Sequence, residues 1–465
     1  MSEKSISKQI SLPEEFIKRM EKLDGFSVSD YLQSFDVESS KGIHLNTRLM
    51  DEKSFLSSYG DLFEKLPYGK NAYRSGLDKP GLSPLSHCGL IYSQDPGAMM
   101  PVSALPFDIK EGSLILDMCA APGGKTSMLA SVAGNNSVIV ANEINTSRNK
   151  ILQSNMERMG YDNVVITSYD SSKIASIWPS AFDMILIDAP CSGEGMFRKY
   201  PEAVNEWSVD NVKNCALRQR EIVSNGYLAL KDGGIMIYST CTYSPEENED
   251  IISYLTDEYH MEIIAPCESI LKYSAPSLLT DKARRFYPYV AYGEGQFLCI
   301  LKKSGNDTSR NLYPVTLKAP DKKQLAMISD TLRGNPNLMP GVKINYYIYN
   351  NSVIAINKNL LTDDNEMVLN LKPASFERLF VIAGTFDKNR FTPHHHLYKA
   401  FGPMFTNIYN PSDDDIYKYL RGEELRRDVP NGYGVILYNG APAGGYKASN
   451  GRLKNHYPKG LRNLK

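Results

Sequence analysis

The sequence predicts a mostly parallel, doubly wound α/β sheet of Rossmann-like connection in the middle of the chain, with smaller units before and after it. Three observations lead there. Between about residues 110 and 302, six apolar, β-branched runs recur: "SLILDM", "NSVIVANE", "NVVIT", "FDMILID", "GGIMIYST" and "GQFLCILKK". They are nearly continuous in apolar residues rather than alternating, as strands covered on both faces are. Segments with helical spacing separate them, the order that builds a parallel sheet.

The elements follow in order. Residues 1–95 mix amphipathic segments with polar turns, and "GIHLNTRLM" predicts a short strand entering a turn, which gives an accessory α/β region. Residues 96–304 carry the sheet. After "ANE", the residues Ile151, Leu152, Met156 and Met159 predict a helix that Gly160 ends, and "VKNCALRQREIVSNGYLAL" predicts another before "KDGG". "KKSGNDTSRN" reads as a linker, residues 305–388 as a small α/β unit, and 389–465, rich in Gly, Pro and short strands, as a small β-barrel.

Composition narrows the function classes. The 465 residues are 42% apolar and carry a formal net charge of -1, values of an ordinary globular chain with several cores. The end "APAGGYKASNGRLKNHYPKGLRNLK" is nonetheless basic, with Lys447, Arg452, Lys454, Lys459, Arg462, Lys465 and no acid. It fits a phosphate-binding face on which Tyr433, Tyr446 or Tyr457 stacks against bases. The polar start "MSEKSISKQISLPEEF" and the absence of a long apolar run predict a cytoplasmic protein without a membrane span. Seven widely spaced cysteines, none in a C-x-x-C pair, predict neither a disulfide framework nor a metal site. His394, His395 and His396 point in different directions and are expected to pack or to touch RNA, not to hold a metal.

The loop in "ILDMCAAPGGKTSMLA" follows a strand and opens a helix, so backbone N–H groups are available to a polar ligand. Gly124, Lys125 and Thr126 imitate a Walker A loop, but the glycine that motif requires five residues earlier is Cys119. The G-x-G-x-x-G of dinucleotide sites is absent too. Glu143 ends the next strand, where it can accept hydrogen bonds from ribose hydroxyls; Asp170 follows the third, where it can meet an adenine amino group; Asp188 ends the fourth. Such a series suits S-adenosylmethionine. As helix caps and solvated turn acids, the same residues would carry no chemistry.

Two strand ends each present a cysteine, Cys191 in "DAPCSG" and Cys241 in "STCTYS". In doubly wound sheets ligands bind at the carboxyl ends of the strands, so both thiols face the cofactor cleft. The alternative is two small packing residues, and for Cys88, Cys215, Cys267 and Cys299 that alternative stands. Methyl transfer to carbon 5 of a pyrimidine needs such parts: a thiolate adding at carbon 6, an acid at ring nitrogen 3, and a group that removes the carbon 5 proton. Chemistry alone leaves open which thiol does which.

"LDMCAAPGGKT", "ANE", "IDAPCSGEGMFRK" and "YSTCTYSPEENE" resemble, in order and spacing, the motifs of the Sun/Nop family of RNA 5-methylcytosine methyltransferases, along nearly the whole chain. "SQDPGAMMPVSAL", "RFTPHHHL" and "LKNHYPKGLR" make it most similar to the bacterial RsmF (YebU) type. The resemblance implies a class I methyltransferase core and a C-terminal PUA-like RNA-binding domain. It implies S-adenosylmethionine contacts from Cys119, Ala120, Ala121, Pro122, Gly123, Gly124, Lys125, Glu143, Asp170 and Asp188. It makes Cys241 the nucleophile, gives Cys191 a part in product release, and lets Asp188 serve cytosine nitrogen 3. Lys125 is expected to position the substrate, and Arg198 and Lys199 to hold its phosphates. Gly97 and Ala98 stand where relatives often have serines, and Tyr289 and Gln296 where a histidine and an aromatic are frequent. The expected function is S-adenosylmethionine-dependent methylation of cytidine carbon 5 in ribosomal RNA, namely 16S rRNA near the decoding region, by a monomer acting on the RNA or on the small ribosomal subunit. A tRNA cytosine-5 methyltransferase and a non-catalytic RNA-binding assembly factor are the alternatives.

Overall fold

A computed structural model describes residues 11–134, 136–305, 317–361 and 376–462. Most of the expected linker, from Asn306 on, lies outside the described residues, as do the first ten residues and Lys465. Among the described residues, four sheets follow one another along the chain. The central one is built on five parallel strands, Leu114–Asp117, Val138–Asn142, Val164–Thr167, Phe182–Asp188 and Leu230–Thr240. Alternate residues of these strands enter different cores. Leu114, Leu116, Val138, Val140, Ile185 and Ile187 join one, and Ile115, Ile139, Ala141, Met184 and Leu186 the other. The unbroken apolar runs are thus the mark of a sheet with helices on both faces, and each fully buried Val, Leu or Ile contributes about 1.5–3 kcal/mol.

The sixth predicted strand, Gln296–Lys302, runs antiparallel beside Leu230–Thr240, with Phe297 opposite Thr240. The short strands Glu262–Ile264, Ala275–Pro276 and Arg284–Phe286 extend that edge in antiparallel fashion. They are too short to leave a periodic signal in the sequence.

The helix Thr146–Met159 begins at Asn145, whose side chain accepts from the N–H groups of Ser147 and Arg148, and stops at Gly160 in the left-handed region. Leu152, Met156 and Met159 are its buried stripe, whereas Ile151 is 52% exposed. Adjacent residues on a helix point about 100° apart, so Ile151 and Leu152 cannot both face the core. The 21-residue helix Val209–Ala229 packs through Val212, Cys215, Gln219, Val223 and Gly226.

Before the central unit lies a four-stranded antiparallel sheet in the order Phe63–Lys65, Ala72–Ser75, Gly42–Leu45, Ile91–Ser93. After it comes the sheet Ile344–Tyr349, Ser352–Asn357, Val381–Asp387, Arg390–Pro393. The expected boundary between residues 388 and 389 therefore falls inside a hairpin, because Asp387 pairs with Arg390. The last, five-stranded sheet is centred on Gly432–Tyr438 and Ala441–Ser449. Its Ile436, Ala443 and Leu453 share one core with Ile43, Leu45 and Phe55, so the first and last described sheets pack together. Lys399, fully buried, ties this junction by donating to the carbonyls of His87 (2.9 Å) and Pro442. No described helix is long and apolar enough to cross a membrane.

Candidate active site

At the carboxyl ends of the parallel strands lies a cleft of about 450 Å³. Its floor is the turn after Leu114–Asp117. There the Ala120 N–H donates to Asn142 O (2.8 Å), and Gly123 adopts φ 109°, where a Cβ would stand 2.8 Å from Met156 Cε. The turn thus requires glycine, and the helix Gly124–Val132 starts directly after it. Cys119, Ala120, Ala121, Pro122, Gly124 and Lys125 line the cleft together with Asp188, Lys199 and Cys241.

Asp188 is the polar hub. It accepts from Lys125 Nζ at 2.7 Å, Ser239 Oγ at 2.8 Å and Gln296 Nε2 at 3.4 Å. Asp117, which sequence reasoning passed over, also lines the cleft. One of its oxygens accepts from Thr126 Oγ1 at 2.6 Å; the other is buried without a partner. Burial, with the Asp188 charge adding, pushes its carboxyl up to about 7. Its signal was available, since it too is an acid ending an apolar strand.

Glu143 and Asp170 stand outside the cleft lining. The buried Glu143 accepts from Asn145 N at 2.9 Å and pairs with Arg148 at 3.3 Å, while Arg148 also donates to Ala121 O at 2.7 Å. Asp170 caps the helix Ser171–Ile177, accepting from Lys173 N at 2.8 Å and Ser172 Oγ at 2.6 Å, and these bonds hold its carboxyl below the usual range.

The two cysteines meet: Cys191 Sγ and Cys241 Sγ are 3.2 Å apart. Cys241 is on the cleft wall; Cys191 lies behind it, and its hydrogen bond to Cys241, followed by burial, raises its thiol well above the ordinary range. Two buried glutamates fasten the loops that carry them. Glu194 accepts from Thr242 Oγ1 (2.8 Å), Tyr243 N (2.9 Å), Ser244 Oγ (2.7 Å) and Trp207 Nε1 (2.9 Å). Glu247 accepts from Ser192 N (3.0 Å), Ser192 Oγ (2.5 Å) and Gln219 Nε2 (2.8 Å), and burial pushes it up to about 7. Sequence reasoning missed both, because a glutamate in a polar loop reads as solvated. A carboxylate this deep is tolerated because every donor around it converges on it.

Arg198 departs from its expected role. Its side chain is only 7% exposed, pairs with Glu294 at 3.8 Å and donates to Val37 O at 3.0 Å, so it joins the N-terminal region to the catalytic unit instead of presenting a free charge. Lys199 does face the cleft. In the C-terminal unit, Tyr446, which its strand turns inward while Lys447 points outward, and Tyr457, just past the last strand, are core residues and not stacking surfaces. Tyr433 is nearly buried as well, with Lys447 over its ring at 5.1 Å. His395 and His396 are buried, and burial drives their imidazoles well below the usual range.

Comparison with known proteins agrees along the chain. Residues 104–302 match the family model of the 16S rRNA methyltransferase RsmB/F, 12–96 the N-terminal domain of 16S rRNA methyltransferase RsmF, and 406–463 the methyltransferase RsmF PUA domain. The ribosomal RNA small subunit methyltransferase F of Aliivibrio salmonicida is 32% identical over 383 residues, which span 80% of this chain and 79% of that one. That of Vibrio vulnificus is 28% identical over 470 residues, 97% of this chain and 98% of that one. Among solved structures, a methyltransferase homolog from Pyrococcus horikoshii is 30% identical with TM-score 0.55, covering 63% of this chain and 96% of that one. NSun6 of the same organism, solved with SFG, shares the fold at TM-score 0.56 and 19% identity, over 63% of this chain and 99% of that one. The chain belongs to the ribosomal RNA small subunit methyltransferase F family and is an rRNA methyltransferase.

Proposed function

We propose that this protein methylates carbon 5 of a cytidine in 16S rRNA near the decoding region, using S-adenosylmethionine and a covalent adduct on Cys241. The observation that carries this reading is the position of Cys241 on the cleft wall beside Asp188, with Cys191 in contact behind it.

The cleft residues fit the cofactor. Small side chains at Ala120, Ala121 and Gly124 leave room for close backbone approach, and the partnerless oxygen of Asp117 is an acceptor awaiting a donor. Bound there, S-adenosylmethionine supplies an electrophilic methyl group. The loop from Cys119 to Lys125 and Asp188 would hold it, with Glu143 and Asp170 at its ribose and adenine ends. For a ribose to reach Glu143, the Arg148 guanidinium has to swing away.

Cys241 adds to carbon 6 of the base, which makes carbon 5 nucleophilic. Asp188, paired with the Lys125 ammonium at 2.7 Å, faces ring nitrogen 3, and a proton passed to that nitrogen through the pair neutralises the charge that develops there. Once Cys241 is bonded to carbon, its sulfur no longer pairs thiol to thiol with Cys191, 3.2 Å away in the free protein. Cys191, its thiol proton given up to solvent, then takes the carbon 5 proton, and in its protonated form hydrogen-bonds the Cys241 sulfur as the Cys241–carbon 6 bond breaks and the carbon 5–carbon 6 double bond re-forms. Lys199 at the cleft mouth supplies a charge for substrate phosphate. The units around residues 12–96 and 406–463, joined through their common core, are the parts of the chain proposed to bind the RNA.

The direct test is to treat unmethylated small-subunit rRNA and assembled small subunits with the protein and labelled S-adenosylmethionine, then map the product. 5-Methylcytidine is expected; label at another atom, or in tRNA alone, would overturn the reading.

A further inference from the structure

Gln296 occupies a place that no step above uses. It starts the antiparallel strand beside the one ending at Thr240, with Phe297 paired to Thr240, so it sits next to the position of Cys241. The residue is 2% exposed, lines the cleft, and its side chain reaches across the end of the strand that leads into Cys241 to Asp188.

That contact favours one orientation of the amide. Its Nε2 lies 3.4 Å from Asp188 Oδ1; the flipped amide would set a carbonyl oxygen against a carboxylate oxygen, two acceptors with no proton between them. The Oε1 is left without a partner among the described residues. The cleft lining therefore includes a neutral acceptor beside the carboxylate.

We propose that Gln296 is the residue that distinguishes cytosine from uracil, its Oε1 accepting a hydrogen bond from the 4-amino group of the target base. This rests on the reading of the substrate as a pyrimidine attacked at carbon 6. Asp188 alone does not make the distinction, because uracil carries a proton on nitrogen 3 and can present it to a carboxylate as protonated cytosine does. The bases differ at position 4, where cytosine has a donor and uracil an acceptor. An oxygen held toward that position bonds the amino group and repels the carbonyl. Sites that hydrogen-bond a distinguishing group reject analogues lacking it far more strongly than apolar pockets do.

The test uses the full-length protein and a target RNA segment carrying 5-fluorocytidine or 5-fluorouridine at the mapped position, where fluorine blocks loss of the carbon 5 substituent and the protein–RNA adduct persists. Adduct formation in the presence of S-adenosylmethionine is followed on denaturing gels for wild type, Gln296→Met, which keeps the side-chain length, and Gln296→Ala. Wild type is expected to favour fluorocytidine by about 100-fold or more, and both variants to reduce that ratio at least about 10-fold. Variants that lower both rates equally, leaving the ratio unchanged, would assign Gln296 a structural part only and overturn the inference. So would variants that match wild type on both RNAs. Melting curves and S-adenosylmethionine affinities near wild type show that the variants fold. Failure of wild type to form an adduct with either RNA would instead refute the covalent reading itself.

Discussion

Replacing Glu194 by alanine tests whether the Cys241 loop is held by the buried carboxylate beneath it. The side chain is fully buried and accepts four hydrogen bonds of 2.7–2.9 Å, three of them from Thr242, Tyr243 and Ser244, immediately after Cys241. Alanine leaves four donors without an acceptor, at about 1 kcal/mol or more each. The desolvation of the carboxylate disappears at the same time, which brings the net loss to about 2–4 kcal/mol. For a unit the size of the central one, this corresponds to a melting temperature lower by roughly 5–15 °C. If Cys241 is the residue that bonds the base, as proposed, the adduct-forming rate should fall more steeply than RNA affinity, because the loop that loosens carries its sulfur. Thr242→Val, which removes one donor of the four, should cost only about 1 kcal/mol. Differential scanning fluorimetry and single-turnover adduct kinetics measure both effects. A Glu194→Ala protein that melts within 1 °C of wild type and forms adduct at the wild-type rate would refute the reasoning.

Further outcomes follow from the same geometry. Gly123→Ala forces a Cβ onto a backbone at φ 109° and against Met156, so a loss of about 1–2 kcal/mol and weaker S-adenosylmethionine binding are expected by melting and calorimetric titration. Glu247 moves from an unfolded value of 4.5 to about 7 on burial. Between those pH values the folded chain keeps a proton that the unfolded chain has lost, so its contribution to stability falls by up to about 3 kcal/mol as pH rises. Glu247→Gln should flatten urea-denaturation stability across that window, and an unchanged slope would count against a buried, proton-retaining Glu247. Asp188→Asn removes the charge that pairs with Lys125 and should lower single-turnover methyl transfer by about 10²–10⁴-fold.

Much of the catalytic unit was legible in the sequence because its determinants are local and repetitive. Unbroken β-branched runs marked the parallel strands, and the acids and cysteines ending them fell at one edge of the sheet. Ile151 misled only because apolar character was read without checking its angle on the helix. What escaped depends on contacts distant in sequence. Nothing in "GEGMF" or "PEENE" announces that Glu194 and Glu247 are buried, since their donors come from residues up to 55 positions away. Arg198 could not be known to meet Val37 and Glu294, nor could the shared core of the first and last described sheets be foreseen. The hairpin crossing residues 388 and 389 was hidden for the same reason: its pairing fixes a boundary that composition does not mark.

The division of labour between the two cysteines is the central claim, and one gel measures it. Wild type, Cys241→Ala and Cys191→Ala are incubated with small-subunit rRNA and S-adenosylmethionine, denatured, and examined for protein bound covalently to RNA. Cys191→Ala is expected to accumulate the adduct, because release is impaired, and Cys241→Ala to form none and transfer no methyl group. Adduct that persists in Cys241→Ala and vanishes in Cys191→Ala would contradict the account and exchange the two roles.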